Sequence, residues 1–258
     1  MAKRRAVGRK DKELHPEKLP TLYKTWIPLT DQRHGNLFLS PERTFEYASA
    51  ANAIPVTTEE FPQAMRHYPI VLAGKNEPTP VALVGYAPGR NDHVDADGNW
   101  RQGAYVPAYL RRYPFCYIRE SADKDRNILC ADLSSTIFAT DGTEDRALFK
   151  DGEPGELLRN VMDFANRYEA ALQRTRAMMQ EAVALDLVDP STVTISTGGK
   201  TLKVEGFFII SEEKLRKLPD DKLASLARRG LLNGYAAHHL SRTKFYLGLA
   251  LLPVPGFA

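Results

Sequence analysis

Apolar and polar positions first fall into an ordered pattern at Tyr23-Lys24-Thr25-Trp26-Ile27-Pro28-Leu29, which predicts an extended entry segment. Thr57-Thr58-Glu59-Glu60 then places capping hydroxyls and first-turn carboxylates ahead of Phe61, so a short helix is expected through about His67. Tyr68-Pro69 ends it, because the residue before a proline is pushed out of the helical region. Two short apolar runs follow, residues 69–73 and 81–86, bounded by Gly, Pro and Asn; they read as buried strands of a hairpin. Asp97-Gly98 marks a second tight turn, between Val94-Asp95 and Trp100. Residues 107–114 predict a helical turn stopped by Pro114, and residues 115–118 and 128–133 two further strands around a charged loop at 119–127.

The second half changes period. Leu157, Leu158, Val161, Met162, Ala165, Tyr168 and Leu172 recur every three to four residues, predicting an amphipathic helix from Glu156 with a break before a second helix over 176–187. Residues 192–197 alternate, Gly198-Gly199 turns and residues 202–205 return, a hairpin continued by the apolar strand 207–210. Ser211 is placed to cap a helix over 212–218, Asp220 to cap one ending at Gly230, and a last helix is expected over about 231–249. The expected fold class is α+β: a single domain with a mixed, mainly antiparallel central sheet and helices from the C-terminal half packed on it. The expected limits are a basic flexible tail over 1–20, the domain over 21–252 and a short tail over 253–258.

Composition adds little except in one place. The 258 residues are 43% hydrophobic and 26% charged, which excludes wholesale disorder. The net charge of +3 is concentrated at one end: residues 1–20 hold seven Lys/Arg against three Asp/Glu, leaving the rest at about −1. Lys3, Arg4, Arg5, Arg9 and Lys10 therefore either touch nucleic acid or another anionic surface, or form a solvated terminus. A near-neutral remainder without a concentrated basic stretch argues against a DNA-binding body. Residues 11–17 are polar where a secretory signal needs its apolar region, and no run approaches the ~18 residues of a membrane span. The expectation is a protein made in the cytosol without a signal peptide, with the cell surface or an assembled particle as alternative destinations. Cys116 and Cys130 lack metal-ligand spacing and read as buried, reduced thiols.

Familiar chemical motifs mostly fail. Thr197-Gly198-Gly199-Lys200-Thr201 ends like a phosphate-binding loop, but Thr194 stands where its first glycine belongs, and strands flank it on both sides. Asp92, Asp95, Asp97 and Gly98 resemble part of a calcium loop, yet His93 and Ala104 occupy the two anchoring carboxylate positions. The six histidines form no metal-ligand pair, and His238-His239 point in different directions on one helix. No metal or cofactor is expected, and no nucleophile elbow or dinucleotide fingerprint occurs.

Three blocks resemble a known family. They are Thr58-Glu59-Glu60-Phe61-Pro62-Gln63-Ala64-Met65-Arg66-His67-Tyr68-Pro69-Ile70-Val71; the run from Val81-Ala82-Leu83-Val84-Gly85 through Gly98-Asn99-Trp100 to Tyr105-Val106-Pro107-Ala108-Tyr109-Leu110-Arg111-Arg112-Tyr113-Pro114-Phe115; and Gly206-Phe207 followed by Tyr235-Ala236-Ala237-His238. Over about residues 35–245 the chain is similar to the SapC family of bacterial proteins, named from a surface-layer gene cluster. The resemblance implies a non-enzymatic structural or binding protein of a surface assembly, either a bacterial surface layer or a virion, with protein partners or self-assembly. Members also occur beside genes for peptide-modifying oxygenases and halogenases, which implies the alternative of a cytosolic accessory protein or enzyme in peptide modification. The basic tail is not part of the family pattern.

Within these blocks Tyr109, Arg111, Arg112 and Tyr113, with His67, Asp95, Trp100 and His238, form a candidate binding patch. Arginine forks and aromatic faces suit a carboxylate, phosphate or glycan. The same residues equally suit a structural cluster in which arginines satisfy buried carbonyls and Asp95. No residue is assigned a catalytic role.

Overall fold

A computed structural model describes residues 19–121, 124–197 and 200–247, so the basic tail with Lys3, Arg4, Arg5, Arg9 and Lys10, and the Gly198-Gly199 turn, lie outside the described residues. In chain order the elements are β1 (Ile27–Pro28), α1 (Asp31–His34), β2 (Phe38–Leu39), β3 (Ala53–Pro55), α2 (Phe61–Ala64), β4 (Ile70–Ala73), β5 (Thr79–Leu83) and α3 (Ala108–Arg112). Then come β6 (Phe115–Ser121), β7 (Lys124–Ala131), β8 (Phe138–Ala139), β9 (Phe149–Lys150), β10 (Glu153–Pro154) and α4 (Glu156–Ala184). The chain continues with β11 (Val188–Thr197), β12 (Lys200–Ile210), α5 (Glu212–Arg216), α6 (Asp220–Arg228), α7 (Leu231–Ser241) and α8 (Lys244–Leu247). This is an α+β fold.

The strands form a five-stranded sheet in the order β11-β12-β4-β5-β3, a three-stranded sheet in the order β1-β7-β6, and two small ribbons. Every strand pairing among the described residues is antiparallel, so the mixed sheet expected from the sequence resolves into separate antiparallel ones. The predicted β4–β5 hairpin is present, with Val71 opposite Val81, and Val94 bridges Trp100 across the predicted Asp97-Gly98 turn. β6 and β7 run further than expected, into the charged segment, because cross-strand pairing outweighs its polar composition.

Thr57 and Glu60 close the capping box expected from their spacing, but the element they start is a single 3₁₀ turn, residues 58–60, that passes directly into α2. The helix expected to break near residue 176 does not. α4 is continuous over 29 residues, about 43 Å at 1.5 Å per residue. Its buried stripe of Leu158, Ala165, Tyr168, Thr175, Met179 and Ala182 keeps one face toward the interior throughout. The last helix, by contrast, is interrupted after Ser241: Arg242 and Thr243 turn back their amides onto His239 and Leu240 before α8 begins.

The core is built around α4. Leu158 and Ala165 pack with Phe115, Leu129 and Leu148 near the three-stranded sheet. Tyr168 joins a cluster with residues from both sheets, including Ile54, Ile70, Ala82, Cys116 and Cys130. Met178, Met179 and Ala182 pack with Leu72, Leu187, Ile210 and Tyr235 under the five-stranded sheet.

Candidate binding groove

α3 is the element around which the candidate residues gather. Pro107 precedes it and Pro114 follows it, so the helix is only five residues long and its terminal carbonyls need partners from elsewhere. Arg43 supplies them. Its Nη2 donates to the carbonyls of Leu110, Arg111 and Tyr113 at 2.9, 2.7 and 2.9 Å, and the Tyr47 hydroxyl adds a bond to Leu110 at 2.9 Å. A cation at a helix C-terminus also complements its dipole.

The two arginines of α3 face different environments. Arg112 is buried, with Nη1 3.1 Å from Glu169 and its guanidinium over the rings of Tyr168, Tyr109 and Tyr23 at 4.5, 5.0 and 5.8 Å. Burial works against its charge, but the hydroxyls of Tyr23 and Tyr168 and the Glu169 carboxylate more than offset this and hold its pKa above the ordinary value. For Glu169 the balance is reversed, and burial raises its pKa despite Arg112. Arg111 is exposed. It donates to the Val106 carbonyl and the Tyr105 hydroxyl, each at 3.1 Å, and lies over Phe164 and Tyr105 at 5.3 and 5.6 Å. Tyr105 in turn donates to the buried Glu60 carboxylate at 3.0 Å, which also receives the Ala108 amide at 2.6 Å.

Arg111 and Arg112 both line a groove of about 290 Å³. Arg43 and Arg146 complete its polar lining. Arg146 donates from Nε to the Leu39 carbonyl at 2.9 Å and from Nη2 to that of Ser40 at 2.5 Å. From α4 the groove receives Leu157, Asn160, Val161 and Phe164, spaced so that all four share one helix face. A second cavity of about 190 Å³, lined partly by the hydroxyl residues Ser40, Thr44, Ser135 and Thr136, shares Arg43 and Tyr113 with the first.

Three of the four guanidinium groups, those of Arg43, Arg111 and Arg146, bond only to neutral oxygens. Among the described residues only Arg112 of the four forms an ion pair, and no carboxylate lines the groove. The site therefore carries uncompensated positive charge beside apolar walls, an arrangement that attracts an anion and orients it through planar forks.

The other predicted residues lie elsewhere. Trp100 donates to the Tyr68 hydroxyl at 3.3 Å and stacks with His93, and His67 flanks the same Tyr68 ring; Tyr68 itself donates to the Tyr105 carbonyl. Asp95 is exposed and builds its own turn, accepting the amides of Asp97 and Asn99. Tyr113 stacks on Tyr47 at 4.0 Å and points its hydroxyl to Asp132 at 3.4 Å. His238 is buried between α7 and β12, where its Nε2 accepts the Ile210 amide at 3.2 Å. The structure thus buries Tyr109, Arg112 and Tyr113, brings Arg112 and Tyr113 together with the exposed Arg111 in the groove lining, and leaves Tyr109 out of that lining. Sequence reasoning passed over Arg43, Arg146 and Phe164, whose only local cue was the Ser40-Pro41 break near Arg43.

Among the described residues no group of three or more His, Cys, Asp or Glu is placed to hold a metal ion, and no helix is long and apolar enough to cross a membrane. No curated protein matches the chain, and no solved structure does. The SapC family model matches residues 29–247, a span that contains every lining residue of the groove, and the chain belongs to the SapC family.

Proposed function

We propose that the chain is a non-enzymatic binding component of a surface assembly, a bacterial surface layer or a virion, and that it holds an anionic group of a protein partner in the groove beside α3. The observation that carries this reading is the set of three guanidinium groups, Arg43, Arg111 and Arg146, bonded only to neutral oxygens around one cavity. A buried arginine with its own carboxylate, such as Arg112, is self-sufficient; these three retain charge for a ligand. Membership of the SapC family supports the setting.

The test is a thermal melt with acetate, phosphate and sulfate at fixed ionic strength, combined with sedimentation of the protein alongside the isolated native assembly. The reading expects stabilisation by at least one anion, loss of it in Arg111→Gln, and co-sedimentation weakened by the same change. Unaltered melting with all three anions removes the groove from the proposal. Absence from the assembly removes the setting.

A second reading, an accessory protein in peptide modification, is favoured by the apolar wall of Leu157, Val161 and Phe164 next to the charge. It expects the chain to raise kcat/KM of a modifying enzyme for its peptide, without turnover by the chain alone.

A further inference from the structure

We infer that the ligand of the groove is the C-terminal residue of a polypeptide, a free α-carboxylate carrying an apolar side chain. The inference rests on the reading of the groove as an anion site and narrows what the anion is.

Three features of the lining select this chemistry. The first is the pairing of charge with apolar surface. Leu39, Phe115, Ile137, Leu157, Val161 and Phe164 share the cavity with the guanidinium groups. A phosphate or sulfate leaves such walls in contact with water or with a multiply charged ion, whereas an apolar side chain fills them. The second is size. About 290 Å³ lies at the lower edge of the ~300–1,000 Å³ of small-molecule sites, which suits one anionic head and one side chain.

The third is what a free amino acid brings with it. Its ammonium group enters a site already holding three uncompensated cations, a like-charge contact that an acylated amine avoids. An acylated amine beside a carboxylate is the end of a peptide chain. The adjoining cavity, which shares Ser40, Arg43, Tyr113 and Ile137 with the groove, adds the hydroxyls of Thr44, Ser135 and Thr136 and the Glu42 carboxylate, which offer donors and acceptors to the preceding peptide unit.

Each of these guanidinium groups is already anchored by the protein through part of its donor set. Nε and Nη2 of Arg111 and Arg146, and Nη2 of Arg43, are fixed by main-chain and tyrosine oxygens. Nη1 of each has no protein acceptor among the described residues and remains for the carboxylate. The guanidinium of Arg111 lies within cation–π distance of both Tyr105 and Phe164, which restricts its position. Asn160, exposed on the same face of α4, is the one uncharged polar side chain of that helix at the groove.

The experiment is isothermal titration of the full chain with N-acetyl-Ala-Ala-Leu as the free acid, as its C-terminal amide, and with leucine replaced by glycine, and with inorganic phosphate. The free acid is expected to bind, and both the amide and the glycine peptide to bind roughly tenfold or more weakly. Arg111→Gln and Asn160→Asp are expected to weaken the free acid by a similar factor, with circular dichroism unchanged. Asn160→Asp is the more secure variant, since it removes no contact and adds only a repelling charge. Equal binding of acid and amide, or of leucine and glycine peptides, overturns the inference. Phosphate binding that Asn160→Asp abolishes, with no peptide binding, overturns it while leaving the anion groove standing. Failure of phosphate and every peptide at millimolar concentration overturns both.

Discussion

The guanidinium of Arg112 sits 4.5 Å from the centroid of the Tyr168 ring, so the middle of α4 and the last turn of α3 are joined by a buried cation. Tyr23 and Tyr109 enclose the same group, and Glu169 takes one of its donors. Arg112→Met leaves the half-buried Glu169 without its hydrogen-bonded partner, with only Arg176 acting on its charge, and is expected to cost on the order of 1–3 kcal/mol. Arg112→Lys keeps the charge but loses the planar contact and should fall between the two. Glu169→Leu added to Arg112→Met should recover much of the loss. Urea denaturation measures all four proteins, and a loss below about 1 kcal/mol for Arg112→Met contradicts the account.

Asp132 anchors the entry segment. Its carboxylate accepts the Lys24 amide, the Thr25 hydroxyl, both donors of Ser134 and the Tyr113 hydroxyl. Burial raises its pKa, but these bonds outweigh burial and leave it below the usual carboxylate value. A depressed folded pKa means stability that is present above the unfolded value of about 3.9 and is lost as pH falls through the folded one. Asp132→Ala is therefore expected to cost roughly 2–4 kcal/mol at pH 7 and to flatten the acid limb of the stability profile. It should also speed tryptic cleavage after Lys24, and unchanged cleavage argues against the anchoring role.

His238 adds a pH dependence of the same sign in a higher pH window. Burial first, then His239 and Arg242, push its pKa down to about 3, so it stays neutral in the folded protein. The unfolded chain takes up the proton at about 6.5. Between these values the unfolded state binds more protons, and stability falls as pH drops from about 6.5 toward 3. His238→Gln removes the titrating group, so its stability should change less between pH 7 and pH 4.5. Equal slopes for the two proteins would count against the assignment.

Gly85 follows β5, where a Cβ would stand 1.9 Å from the Arg90 carbonyl oxygen. That oxygen is main chain, held in place while Gly85 bonds Asn52 and Asp92 bonds Val84. Gly85→Ala should lower stability by about 1–3 kcal/mol through overpacking, read as a drop in Tm of several degrees. An unchanged Tm excludes the close approach.

What the sequence revealed was local. The Thr57–Glu60 capping box, the β4–β5 hairpin and the arrest of α3 before Pro114 each depend on residues a few positions apart, and each is found. The predicted break in α4 failed because its continuity depends on partners drawn from both sheets, which no window of the chain contains. The groove was only half legible for the same reason. Arg111 and Arg112 stand out beside two tyrosines, but Arg43 and Arg146 are ordinary surface arginines until β2 and α3 bring their carbonyls together. Asp95 and His238 drew attention by residue type, and the exposed turn that Asp95 builds and the burial of His238 against Ile210 are properties of the folded chain.

The unbroken α4 has a consequence for how this protein can vary. Its stripe is shared by clusters at both ends and in the middle, so the segments flanking it do not form separable pieces. A cut at Leu185, or a recombination joint placed there, strips Met178, Met179 and Ala182 of their cover from Leu187, Ile210 and Tyr235 and leaves an apolar band facing water. Shuffled halves of related chains should therefore aggregate unless both sides of the joint come from one parent, and the two sheets are inherited as a pair.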